Sequence, residues 1–248
     1  MTLEQFFAEN REVAVAFSGG VDSAYLLYAA TRYAARVKAY YVSTAFQPEF
    51  ELADARRLAD ELGADMLVLH VDVLSNSAVT ANPSDRCYHC KNTLFRQILR
   101  AAENDGFPVL LDGTNASDDA GDRPGMRALR ELSVRSPLRA YGLTKAAIRR
   151  LSREAGLFTW DKPAYACLAT RIRTGEEITL QKLKQTEKAE GFLLGLWFRD
   201  FRVRMVGSTA KLELREADLP LLLENREKIV TELRKDYDSV LLNLEVRK

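Results

Sequence analysis

Five consecutive apolar residues, Val13–Phe17, stop abruptly at Ser18 and are followed by the pair Gly19-Gly20. A run so short and continuous predicts a strand buried on both faces, the kind a parallel sheet uses. Asp22–Ala35 then reads as a helix that Asp22 or Ser23 caps. Val37–Ala45 predicts a second strand, Glu49–Leu62 a helix closed by Gly63, and Asp65–Val71 a third strand. Such alternation implies βαβ units, with right-handed crossovers laying helices on the faces of a parallel sheet. Ser75–Asp85 is polar and proline-containing and reads as an exposed loop. A helix from about Cys87 to Asn104 follows, with Leu94, Ile98 and Leu99 on its apolar side. Pro108–Asp112 predicts a fourth strand, Gly121–Arg130 a loop, Val134–Leu138 a short fifth strand, and Thr144 the cap of a helix through Ala155.

The pattern changes after Trp160. Trp160–Arg171 has neither helical nor strand period and reads as a linker that carries function. Beyond it Thr179–Glu190 predicts a polar helix, and Phe201–Val206 alternates so that Phe201, Val203 and Met205 share one face and Arg202 and Arg204 the other. Lys211–Arg215 returns as a strand, Asp218–Lys235 reads as one long helix, and Ser239–Val246 as a strand with Val240, Leu242, Leu244 and Val246 on one side. The expected fold is α/β: a Rossmann-like domain with a parallel sheet over 1-165, and a small α+β domain over 166-248. The apolar run Phe192–Phe198 suits either core or an interface between subunits.

Composition narrows the function classes. A formal net charge of +1 gives no global field for nucleic acid or an anionic membrane, and no apolar run approaches the about 18 residues of a membrane span. The start of the chain reads as an amphipathic helix rather than a signal peptide. A cytoplasmic protein is expected. Three cysteines, an odd number, argue against a secreted disulfide framework and toward metal or redox chemistry.

Strand, glycine turn and helix N-terminus together make an anion site, because the first N–H groups of a helix lack partners and its dipole favours negative charge. Ser18-Gly19-Gly20-Val21-Asp22-Ser23 is neither G-x-x-x-x-G-K-[ST] nor G-x-G-x-x-G. It matches the PP-loop of the ATP pyrophosphatases, which split ATP into AMP and pyrophosphate to activate a carboxyl or carbonyl oxygen. Ser18, Gly19, Gly20, Val21, Asp22 and Ser23 are thus expected to hold ATP, with Asp22 helping to hold Mg²⁺. Gly113 and Thr114 open the loop after the fourth strand, at the edge where open α/β sheets bind ligands, and suit a nucleotide or a plain turn equally.

Cys87 and Cys90 form a C-x-x-C at a helix entry, where thiolate is stabilised, and Cys167 lies in the linker. A redox pair leaves Cys167 idle. Structural zinc needs a fourth ligand, and His89 sits awkwardly between the two cysteines. A [4Fe–4S] cluster on three thiolates leaves one iron open for chemistry; unrelated buried cysteines are the fourth reading.

With the PP-loop, LLDGTN followed by DRPG, the linker PAYACLATRIRTG and the strand RVRM, the chain from about Val13 to Leu214 resembles the LarE family of ATP-dependent sulfur transferases. The resemblance implies adenylation of a pyridinium mononucleotide carboxylate, then sulfur addition to give a thiocarboxylate for the nickel-pincer nucleotide cofactor. It implies a homo-oligomer. Members carry either one sulfur-donating cysteine, matching Cys167, or three that hold a cluster; Cys87, Cys90 and Cys167 match the second branch. Arg202 and Arg204 match arginines that hold the substrate phosphate, and Arg171 one near the sulfur donor. Taken alone, Arg202 and Arg204 read as a solvated sheet face. The runner-up is a PP-loop tRNA thiolation enzyme with an iron–sulfur cluster, which the near-neutral charge disfavours. An amide-forming ligase leaves the cysteines unexplained, and a non-catalytic nucleotide-binding module is the remaining class.

Overall fold

Strand β1 (Glu12–Ala16) lies inside the sheet, with Val13, Ala14 and Val15 shut off from solvent, as the unbroken apolar run requires. The computed structural model describes residues 2–118 and 124–247. In chain order, α1 (Leu3–Glu9) precedes β1, and α2 (Val21–Tyr33), β2 (Arg36–Ser43), α3 (Glu49–Leu62) and β3 (Asp65–His70) follow it. Next come α4 (Ser77–Thr80), α5 (Arg86–Asn104), β4 (Leu110–Leu111), α6 (Pro124–Glu131), α7 (Pro137–Ala140) and α8 (Lys145–Glu154). The rest is α9 (Leu180–Gly195), β5 (Arg202–Val206), β6 (Thr209–Glu213), α10 (Leu219–Glu224), α11 (Arg226–Leu233) and β7 (Ser239–Leu242).

The chain divides into two compact units. The first takes the residues up to Val73 and Asp85–Lys162; the second takes Leu74–Ser84 and the residues from Pro163 onward. In the first, four parallel strands run in the order β3-β2-β1-β4, and the alternation of side chains loads both faces. Val13, Val15, Ala39, Tyr41 and Leu111 pack with α1, α2 and α3 on one side. Ala14, Tyr40, Val42 and Leu110 pack with Ile98 and Ala102 of α5 and with Phe107 on the other. Strand order reverses between β1 and β4, which opens a crevice at their C-terminal ends. The second unit holds a mixed three-stranded sheet, β5 antiparallel to β6 and β6 parallel to β7.

Several local expectations are corrected. The helix after the glycine turn begins at Val21 with Gly20 as N-cap, so neither Asp22 nor Ser23 caps it. Residues 75–85 are no bare exposed loop. They contain α4, and Asn82 is buried in the second unit, its amide donating to Arg173 O at 2.8 Å. Pro124–Glu131 is helical where a loop was expected; residues 121–123 of that loop lie outside the described residues. The fifth strand reduces to one bridge between Leu111 and Arg135, because Pro137 starts α7 directly after it. The long helix 218–235 breaks at Asn225, whose side-chain amide donates to Leu221 O. The last strand stops at Leu242, and Leu244 is 88% exposed rather than inward. The Phe192–Phe198 run divides: Leu193 and Phe198 are core, whereas Trp197 is 80% exposed at a φ of 72°.

Candidate active site

The turn after β1 sits at the reversal of strand order. Gly19 has a φ of +72°, and a Cβ there would meet Ala55 Cβ at 3.2 Å, so the fold itself requires glycine. Ser18 and Ser23 lock the turn shut across its base. Their hydroxyls lie 3.0 Å apart, Ser18 N–H donates to Ser23 Oγ, and Ser23 Oγ donates to Gly20 O. No side chain caps the N-terminus of α2. An uncapped helix end beside a glycine turn is a site where N–H groups and dipole act together on an anion.

The loop after β4 closes against it. A Cβ on Gly113 would lie 2.8 Å from Ser23 N and 3.1 Å from Ser23 Cα, so only glycine lets the two loops approach. Asp112 is buried just before it and accepts from Ser136 Oγ at 2.5 Å and from Thr114 Oγ1. The Thr114 hydroxyl therefore fixes the loop through Asp112. Downstream, Asn115 and Asp118 shape the turn, and Ser117 Oγ accepts the Lys145 N–H at the start of α8. Lys145 Nζ reaches Asp22 Oδ2 at 2.5 Å. The other oxygen, Asp22 Oδ1, is buried with no hydrogen-bond partner among the described residues, which fits a cation such as Mg²⁺. Sequence reasoning missed Asp112, Ser136 and Lys145. Only the polar residue closing a strand marked the first, and nothing short of tertiary structure connects Lys145 to Asp22.

Cys87 and Cys90 stand one turn apart at the start of α5, Cys87 exposed and Cys90 half-buried. Arg86 Nη2 lies 3.7 Å from Cys87 Sγ, and His89 Nε2 lies 3.4 Å from Asp85 Oδ2. None of the three cysteines is in a disulfide among the described residues. Among the described residues no group of three or more His, Cys, Asp and Glu side chains is arranged to hold a metal ion.

In the second unit Cys167 begins a strap, and buried ionic groups hold that strap down. Arg171, 1% exposed, donates to both carboxylate oxygens of Glu190, at 2.8 and 3.0 Å, and to Ala166 O at 2.9 Å. Glu190 also accepts Val203 N–H at 2.9 Å and the Tyr165 hydroxyl. Burial alone would pull the Arg171 guanidinium down, but the bonds and charge of Glu190 hold it above its ordinary value. Thr170 Oγ1 donates to Cys167 O, and Arg204 Nη1 to Thr170 O.

Arg202 and Arg204 share a face of β5, yet that face is not simply solvated. Arg202 is 7% exposed and donates to Phe201 O and Ala164 O; burial, then the charges of Arg171 and Arg247, push it below its ordinary value. Arg204 pairs with Glu213 at 2.7 Å and lines a cavity of about 340 Å³ with Thr170, Arg173 and Lys211. That cavity is basic and sized for a phosphate-bearing group. Arg173 and Lys211 were not singled out from sequence.

A family model described as asparagine synthase matches residues 4–155. The chain is 32% identical to a pyridinium-3,5-bisthiocarboxylic acid mononucleotide synthase of Lactiplantibacillus plantarum, over 94% of this chain and 85% of the relative. The chain belongs to the LarE family of PP-loop, ATP-dependent sulfur transferases. An uncharacterized protein of Synechocystis is 37% identical over 86% of this chain and 80% of its own length. A tRNA-specific 2-thiouridylase of Thermotoga petrophila is 26% identical over only 61% of this chain and 54% of its own. The asparagine-synthase match covers nearly all of the first unit, whereas the LarE-family match runs on through the strap and β5. No helix among the described residues is long and apolar enough to cross a membrane.

Removing the carboxylate of Glu190 leaves a buried guanidinium without its partner, so Glu190→Ala is expected to destabilise the second unit by about 3–5 kcal/mol. Urea unfolding of the full chain, followed by fluorescence, measures this; a loss below about 1 kcal/mol would show that the pair does not hold the strap.

Proposed function

We propose that the chain adenylates a carboxylate of a pyridinium dicarboxylate mononucleotide and converts it into a thiocarboxylate. A carboxylate oxygen attacks the α-phosphorus of ATP, the bond to the β-phosphate oxygen breaks, and its electron pair leaves with pyrophosphate. A hydrosulfide sulfur then attacks the activated carbonyl and AMP departs with the carbon–oxygen electron pair, leaving the thiocarboxylate. Were the nucleophile the Cys167 thiolate, the thioester formed would release the thiocarboxylate only by loss of the Cys167 Cα proton and cleavage of its Cβ–S bond, leaving dehydroalanine. The turn Ser18–Ser23 binds the phosphates, with Gly113 keeping the neighbouring loop close and Thr114 fixing its shape through Asp112. Asp22, with its orphaned Oδ1, would hold Mg²⁺, which when bound would supply positive charge for the departing pyrophosphate. Arg204, with Arg173 and Lys211, binds the mononucleotide phosphate by charge-assisted hydrogen bonds. Arg171 and Arg202 hold the strap that carries Cys167 rather than touching that phosphate.

Gly20 is the observation that carries this reading. Its φ is −79°, and a Cβ there would meet nothing closer than Ser18 Oγ at 3.5 Å, so the fold does not need glycine at this position. A ligand does, because a side chain would stand where the N–H groups of α2 must reach a phosphate. Gly20→Val is therefore expected to fold with an unchanged melting temperature and to lose ATP-dependent pyrophosphate release. Release at the wild-type rate in the folded variant would remove the phosphates from this turn.

The sulfur source is proposed to involve all three thiols. Thiolates suit iron and sulfide, and Cys87 and Cys90 lie one turn apart on the same side of α5. With Cys167 they would hold a [4Fe–4S] cluster, which when bound supplies a carried sulfide. Anaerobic turnover with ATP, the dicarboxylate mononucleotide and sulfide should then give more than one sulfur per chain, with the mass of the polypeptide unchanged. A mass loss of about 34 Da at Cys167, marking conversion of cysteine to dehydroalanine, with activity surviving Cys87→Ala and Cys90→Ala, would make Cys167 the sole donor.

A further inference from the structure

Cys87 and Cys90 share the opening turn of α5, which starts at Arg86. Helix geometry sets Cα atoms three residues apart about 5 Å from one another, inside the span that a disulfide bridges. The two residues between the cysteines are tied down by side-chain contacts. Tyr88 donates its hydroxyl to Glu131 of α6 at 2.7 Å, and the Arg127 guanidinium lies 4.0 Å from its ring. His89 pairs with Asp85 at 3.4 Å, and the Asp85 side chain does not cap the helix. The first N–H groups of a helix have no partner inside it, so this turn can tighten around a bridge without breaking the ladder below.

The two sulfurs are not equivalent. Cys87 is exposed and Cys90 half-buried. Arg86, itself buried, brings Nη2 within 3.7 Å of Cys87 Sγ, and no acidic residue stands in the first turn of α5. An exposed sulfur beside a guanidinium at the positive end of a helix is placed to attack; a half-buried one a turn later is placed to resolve.

We propose that Cys87 and Cys90 form a reversible dithiol–disulfide couple. The Cys87 thiolate attacks one sulfur of a small-molecule disulfide and expels the other sulfur as a thiolate. The Cys90 thiolate then attacks Cys87 Sγ and expels the second. Two electrons pass to the oxidant, the protons of the two cysteines end on the two small thiols, and the chain keeps one S–S bond. A dithiol reductant reverses the exchange. The oxidised couple has no thiolate to offer iron, so it switches off sulfur transfer by the three-thiol route. That consequence rests on the three-thiol reading, whereas the couple stands on α5 alone, and the test separates them.

The full chain, prepared without iron, is equilibrated in glutathione buffers of graded oxidation, quenched by alkylation, and read by intact mass and peptide mapping. The expected product carries two alkyl groups fewer than the reduced chain, both missing from Cys87 and Cys90, while Cys167 is labelled. Cys90→Ser is expected to trap a glutathione adduct on Cys87, and Cys87→Ser to form one on Cys90 at least about fivefold more slowly. Separate adducts on Cys87 and Cys90 in the wild type, a bridge to Cys167, or thiols that stay reduced at every ratio overturn the couple. Adducts formed equally fast in the two variants overturn the order of attack. Uptake of iron and sulfide is then compared for the reduced, oxidised and re-reduced chain, and uptake by the reduced forms only is expected. Equal uptake by the oxidised chain, or none by the reduced one, overturns the three-thiol reading and the switch built on it, and leaves the couple standing.

Discussion

The close approach of two loops at the point where strand order reverses governs the first unit. Gly113 lies so near the first turn of α2 that a Cβ would come within 2.8 Å of Ser23 N. Much else in the unit follows from that contact. β1 must be apolar on both faces because it is flanked by β2 and β4 and covered on each side. β4 must place Asp112 where Ser136 and Thr114 can hold the loop. The chain after that loop then sets the start of α8, through Ser117, so that Lys145 faces Asp22. The proposed nucleotide site, built this way, is preorganised by backbone and glycine, and few side chains need to move.

The second unit solves a different problem with a different device. Cys167 sits on a strap that no sheet ladder holds; one 3-10 turn, Leu168–Arg171, follows it where no helical period was expected, and such a segment would be mobile without anchors. Arg171, Arg202 and Arg204 bind carbonyls of the strap and its flanks, and Glu190 ties Arg171 to Tyr165 and to β5. Buried ion pairs contribute little net stability and are retained where they specify a conformation. Here the conformation specified is that of a thiol-bearing strap.

Much of the fold is legible in the sequence because its strands are short apolar runs separated by glycine stops. Glu49–Leu62 agrees to the residue, and Thr144 caps its helix as expected, whereas Thr179 proves to be the cap of a helix that starts at Leu180 and runs to Gly195. Failures occur where a tertiary contact outweighs local pattern. Asn82 looked like loop, yet it is buried because Ile172 and Arg173 carbonyls accept its amide. Arg202 looked solvated because period-two alternation says only that it faces away from Val203, and nothing local says that Ala164 covers that side. The pairing of Lys145 with Asp22 has no sequence signal at all. The PP-loop, by contrast, was readable from six residues, since strand, glycine turn and helix N-terminus are contiguous in the chain.

The central claim is that a substrate carboxylate attacks the α-phosphorus of ATP in this site. Turnover of substrate labelled with oxygen-18 in its carboxylates, followed by mass spectrometry of the AMP formed, tests it most directly. The account predicts one labelled oxygen in the phosphate of each AMP and pyrophosphate without label. Unlabelled AMP, or label in pyrophosphate or inorganic phosphate, would contradict it.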